Sequence, residues 1–169
     1  MKVYIASFFD TRTRIRPWAD EFWKRGHEVV STWLNETSRP EGMTTDEFWK
    51  KLAIKDLAEI NAADLLVLDT IDVTPRGGRE VELGFALGRF QGKSIYMVGP
   101  VRNVFHTLVD RKFDSYEALM KDIPDITKPS ENPKPMNPEQ VAKVAKPGEW
   151  KEIHPPETLL DFGKRKGIV

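Results

Sequence analysis

The chain contains no cysteine, which excludes disulfides, thiolate catalysis and cysteine-ligated metals. Histidine is scarce as well. His27, His106 and His154 are scattered without metal-ligand spacing, so no metal site is expected. No apolar run approaches the roughly 18 residues that a membrane span needs. The opening MKVYIASFF passes straight into a polar, Arg-rich stretch, which does not read as a signal peptide. The expected compartment is therefore the cytoplasm. An excess of either charge is also missing, because Lys+Arg and Asp+Glu both number 26. That balance argues against nucleic acid or an anionic membrane as a partner bound by bulk electrostatics. A small anionic ligand is still compatible, since a local pocket can be positive on a neutral protein. Proline is sparse up to residue 122 and dense beyond it, with eight of the twelve in 123–169.

What is present fits one α/β core. A length of 169 residues, 40% hydrophobic and 31% charged, suits a single globular domain and is too short for two substantial ones. Residues 2–8 (KVYIASF) read as a buried first strand. Pro17, Trp18, Phe22 and Gly26 then outline a helix with proline at its start and glycine at its end. Residues 27–33 predict a second strand. Thr44 and Glu47 have the spacing of a capping box, opening a helix that runs to about Ala62. Residues 64–70 (DLLVLDT) predict a central strand buried on both faces. A helix over 79–91, a strand over 94–99, a short strand near 111–114 and a helix near 115–122 follow.

Such alternation predicts a flavodoxin-like (Rossmann-like) parallel sheet of five strands in the order 2-1-3-4-5, within a domain spanning 1–122. In these sheets ligands bind beyond the carboxyl ends of the strands, where the strand order reverses. The remainder, 123–169, predicts an ordered but irregular Pro-rich extension packing on the domain or on a neighbouring subunit. Its Val141, Val144, Trp150, Ile153, Leu159, Leu160 and Phe162 argue against a wholly unstructured tail. Lys164, Arg165 and Lys166 read as a solvated terminus.

The chemistry concentrates in 69–89, DTIDVTPRGGREVELGFALGR. This stretch leaves the central strand, turns through Gly77 and Gly78, and enters a helix beginning with Glu80 and Glu82. A carboxylate at the start of a helix is expected to be held as the anion by the helix dipole and unpaired N–H groups. Such a group suits attack on an electrophilic sugar carbon. It is also an ordinary dipole partner, so position alone leaves both readings open. Gly84 removes a side chain where a ligand or strand could approach. Phe8 and Phe9, following the first strand, are candidates to line a base or sugar pocket, with core packing as the alternative. Trp33 could stack on a base or simply fill the core. His106 follows the fourth strand and is expected to be structural.

The segment Gly78-Arg-Glu-Val-Glu82-Leu-Gly84-Phe-Ala86 matches the G-x-x-x-E-x-G-x-A signature of the nucleoside 2-deoxyribosyltransferase superfamily. Val3-Tyr-Ile-Ala-Ser-Phe8 resembles its opening strand, and Asp56-Leu57-Ala-Glu-Ile60-Asn-Ala-Ala63-Asp64 resembles its helix before the central strand. Gly92-Lys93-Ser94-Ile95 resembles the entry to its next strand, so the likeness covers about residues 2–120. The resemblance implies that Glu82 is a nucleophile capturing C1′ of a deoxyribose. Asp56 would help activate the base or hold the sugar and nucleophile. It implies transfer or hydrolysis of the N-glycosidic bond of a deoxyribonucleoside or its 5′-monophosphate, with no cofactor, in a homo-oligomer.

One departure stands out. Six residues before the nucleophile, transferases of this group carry an acid and monophosphate hydrolases a serine, whereas this chain has Arg76. A guanidinium suits a bidentate phosphate contact. Ser7, Arg12 and Arg14 could add to an anion site at the start of helix 1, and Gly78 would border the same pocket. Two further alternatives are an NAD hydrolase of the TIR-like type and a nucleotide-binding module without turnover.

Overall fold

The computed structural model describes residues 1–36, 38–73, 77–89 and 92–126. Arg76, His154 and all of the Pro-rich extension beyond 126 lie outside these residues. The centre is a parallel sheet of five strands in the order β2-β1-β3-β4-β5, matching the flavodoxin-like expectation. The strands are β1 (Lys2–Ala6), β2 (Glu28–Val29), β3 (Leu65–Asp69), β4 (Ser94–Val98) and β5 (Arg111–Phe113). Helices α1 (Arg12–Lys24), α2 (Thr45–Ala62) and α3 (Gly78–Arg89) run between them, and α4 (Tyr116–Asp122) follows β5.

All five residues of β3 are buried, which is why LLVLD shows no polar alternation. It pairs with β1 from Val3↔Leu65 to Ala6↔Leu68 and with β4 from Leu65↔Ser94 to Asp69↔Val98. Side chains alternate along β1, so Tyr4 faces α2 and α3 while Ile5 faces the α1 side. Thr44 caps α2 in a full capping box. Its hydroxyl accepts from Glu47 N–H at 3.3 Å, and Glu47 Oε2 accepts from Thr44 N–H at 2.9 Å.

Three expected boundaries shift. The first strand ends at Ala6, because the chain closes a 3-10 turn over Phe9–Thr11. The second strand is two residues long and passes into a 3-10 turn at Thr32–Asn35. Helix α1 starts at Arg12, so Pro17 sits inside it instead of at its start. Thr13 and Pro17 both lie on the exposed side, where water can replace the missing helical bond.

Beyond β3 and β4 the backbone is knitted tightly. Gly99 has φ 107, and a Cβ there would lie 2.7 Å from Ile71 N, so glycine is required. Arg102 donates to the carbonyls of Thr70 and Ile71 at 2.8 Å each, fixing the loop after β4 against the end of β3.

Candidate active site

Three groups of polar residues border the sheet, and they differ in how far their charges are satisfied. The first lies between β1, α2 and α3. Tyr4 is fully buried, and its hydroxyl donates to Glu82 Oε1 at 2.9 Å. Burial, followed by the nearby charge of Glu82, raises the Tyr4 pKa well above its ordinary value, so the phenol remains a donor. The other Glu82 oxygen, Oε2, is buried with no hydrogen-bond partner. Asp56 joins the group from α2, and its Oδ1 is likewise buried and unpartnered.

These carboxyls hold their protons unusually tightly. Burial pushes Glu82 up to about 8, the charge of Asp56 pushes in the same direction, and the Tyr4 hydrogen bond offsets only part of this. Asp56 rises to about 6, again through burial, with Lys55 opposing and Glu36 adding. Glu59, one turn further along α2, rises to about 7 through burial, opposed by its bonds from Thr32. The expectation that Glu82 is held as an anion by the helix dipole is therefore corrected. Glu82 is the fifth residue of α3, past its first turn, and burial beside a second carboxyl outweighs the helix end.

The second group lies at the carboxyl ends of β1 and β3. Asp69 is buried and accepts from Ser7 Oγ at 2.7 Å, Arg14 Nη2 at 2.6 Å and Ile71 N–H at 3.1 Å. Arg14 also pairs with Asp72 at 2.8 Å. Ser7 and Arg14, expected to face an anion, are thus already engaged with carboxylates. Arg12 differs from them. Its guanidinium stacks on the Phe9 ring at 4.3 Å, and its Nη1 is buried without a partner. Phe9 is 39% exposed and Phe8 half-buried, so neither is a core residue.

Glu80, the other glutamate of α3, belongs to a third and fully bonded set. Its Oε2 accepts from His106 Nε2 at 2.9 Å and Asn103 Nδ2 at 3.0 Å, and its Oε1 accepts from Arg79. Arg102 N–H donates to His106 Nδ1 at 3.2 Å. His106 is therefore structural, as expected. Trp33 is too, being 7% exposed and donating from Nε1 to the Ile5 carbonyl at 2.8 Å.

Gly78 opens α3 with nothing within 4 Å of a Cβ placed on it, and Gly84 is equally open. No strand approaches Gly84, contrary to one of the two roles expected of it. Sequence reading missed Tyr4, Glu59 and Thr32. A tyrosine in the middle of an apolar strand was the available signal, because a buried phenol needs a partner. Among the described residues no group of three or more His, Cys, Asp or Glu could hold a metal ion. Nor is any helix there long and apolar enough to cross a membrane.

No protein-family profile and no curated protein matches the chain. Solved structures do. A 2-deoxyribosyltransferase from the psychrotolerant bacterium Bacillus psychrosaccharolyticus is similar at 20% identity and TM-score 0.60, over 78% of this chain and 100% of that one. A conserved protein from Enterococcus faecalis V583 is similar at 17% identity and TM-score 0.56, over 72% and 95%. The CMP N-glycosidase BcmB of Clostridium botulinum aligns at 18% identity and TM-score 0.48, over 72% and 97%. At these identities the likeness to the first two establishes that the chain shares their fold.

Proposed function

We propose that this chain is an N-glycosyl transferase or hydrolase acting on 2′-deoxyribonucleosides or their 5′-monophosphates, with Glu82 as the covalent nucleophile. The observation that carries the reading is the buried Glu82 carboxyl, gripped by Tyr4 through one oxygen and unpartnered at the other. Shared fold with a 2-deoxyribosyltransferase supports it.

In the first step ionised Glu82 attacks C1′ through Oε2, and the bond from C1′ to the base nitrogen breaks. The base leaves with that electron pair and takes up a proton from water. Asp56, raised to about 6, is ionised wherever Glu82 is, so it acts as an acceptor that holds the sugar or the base through its unpartnered Oδ1. Tyr4 holds Oε1 so that the attacking oxygen is oriented. In the second step C1′ is released from the ester by a second base, giving transfer, or by water, giving hydrolysis. Apart from water or the second base, side chains supply the reacting groups of this scheme.

A nucleotide substrate is favoured by one observation, the unpartnered Nη1 of Arg12 beside the start of α1. The expected homo-oligomer is part of the reading as well. Trp49 and Val81, on the helices that carry Asp56 and Glu82, are 64% and 65% exposed and provide apolar surface for a second copy.

The deciding experiment is mass-spectrometric detection of free base from a panel of deoxynucleosides and deoxynucleoside 5′-monophosphates. Each reaction runs with and without an acceptor base, beside Glu82→Ala. Base release lost in the variant supports the reading, and a new nucleoside formed with acceptor makes the reaction transfer. Nicotinamide release from NAD, or tight binding without any product, would replace it.

A further inference from the structure

Glu59 takes no part in the reaction as written, yet it is only 4% exposed. It follows Asp56 by three residues and so shares a face of α2 with it. Both of its oxygens are occupied. Thr32 N–H donates to Oε2 at 3.1 Å, and the Thr32 hydroxyl donates to Oε1. Thr32 opens the 3-10 turn, and its two neighbours are bonded to β1. Ile5 N–H donates to Ser31 Oγ at 2.5 Å, and Trp33 Nε1 donates to the Ile5 carbonyl. Ile5 directly follows Tyr4, which holds Glu82. The turn is secured again by an ion pair between Lys55 and Glu36 and by Arg16 donating to the Leu34 carbonyl. Glu59 thus ties the helix bearing Asp56 to the strand bearing Tyr4, and its charge acts on both Tyr4 and Glu82.

We propose that Glu59 is a positioning residue which, through its Thr32 clamp and its charge, sets the pH at which Glu82 becomes a nucleophile. This rests on the reading of Glu82 given above. The groups facing Glu82 are Tyr4 from β1, Asp56 and Glu59 from α2, and Arg79 from its own helix. Lys55 and Glu36 act on Asp56 behind them. Asp56 has an unpartnered oxygen to offer a substrate, whereas Thr32 holds both oxygens of Glu59, so Glu59 works through other residues. Removing a like charge makes the neighbouring carboxyl easier to ionise.

Glu59→Gln in the full chain tests this, since the amide oxygen can still accept from Thr32 but carries no charge. The acid limb of kcat/KM for base release should move to lower pH by on the order of one unit, the scale of a nearby like charge in a partly buried site. Thr32→Val removes a donor that favours the Glu59 anion, so it should move the limb the same way by less. Glu59→Asp keeps the charge but draws it back from Thr32, so it should move the limb less than Glu59→Gln does. The same midpoint is read without turnover by carbon-13 NMR titration of the glutamate carboxyls, with the Glu82 signal assigned from Glu82→Gln. A folded Glu59→Gln chain with an unmoved Glu82 midpoint overturns the proposal. If that variant does not fold, Thr32→Val decides by the same criterion. A shifted midpoint in a chain that releases no base supports the control by Glu59 and defeats only the assignment of Glu82 as nucleophile.

Discussion

Glu80 and Glu82 lie two residues apart near the start of one helix, and their surroundings differ in almost every respect. Glu80 is partly buried, which alone would raise its pKa, but bonds from His106, Asn103 and Arg79 together lower it. Glu82 accepts one bond from a phenol, faces Asp56 and Glu59, and rises to about 8. Glu80 lies in the first turn of α3 and Glu82 just past it, a small difference beside that of their partners. Glu80 points to donors brought by the loop after β4, and Glu82 points to acids brought by α2. A carboxyl whose donors are all in place holds structure, whereas one left short of donors beside like charges has the perturbed acidity found at functional sites. The contrast extends to the whole site. Arg14 and Asp69 form a satisfied pair, while Arg12, Asp56 and Glu82 each retain a buried atom without a partner.

The contrast is broken most severely by Glu82→Gln. Loss of the proposed nucleophile should cut base release by roughly a thousandfold or more, while Glu80→Gln retains turnover in the folded fraction. Steady-state kinetics on both variants checks this, and equal losses would erase the distinction. Next is Glu80→Ala, which strands Arg79 and His106 without their shared acceptor. It should cost about 2–3 kcal/mol of unfolding free energy in urea, whereas an unchanged midpoint would mean the bonded set contributes nothing.

A smaller effect reverses the usual sense of a polar deletion. The Glu82 pKa lies above its ordinary value of 4.5, so its contribution to stability is complete below about 4.5 and is lost as pH rises through about 8. Glu82→Gln removes that loss and should make the chain more stable at pH 9, on the order of 2 kcal/mol. Chemical denaturation at pH 5 and pH 9 reads it, and a variant equally stable or weaker at pH 9 would contradict it. Least severe is Tyr4→Phe. Losing a donor to the anion should move the acid limb of kcat/KM to higher pH and lower activity roughly tenfold at neutrality. A pH profile that superimposes on the original would detach Tyr4 from the site.

Much of this was legible in the chain. The apolar run of β3, the Thr44–Glu47 cap and the glycines before α3 act over a few residues, so the elements follow from local pattern. Pro17 misled because its cost depends on which side of the helix faces water. The short β2 was illegible because strand pairing, and not residue type, ended it. At the site, Glu82 and Asp56 were found through their motif, but Tyr4 read as an ordinary core residue. Glu59 and Thr32 carried no motif at all, and only the packing of α2 against the Thr32–Asn35 turn brings them together. Arg76, expected to contact phosphate, lies outside the described residues.

The sequence by itself determined the order of elements, the parallel sheet and the residues at the start of α3, because periodicity, capping and turn chemistry are short-range. The tertiary structure alone decided which glutamate is satisfied and which is left short of donors beside other carboxyls. That outcome depends on burial and on neighbours from distant segments, including a phenol 78 residues away along the chain. Electrostatic energy in a site shielded from water follows distance in space, which local sequence does not encode.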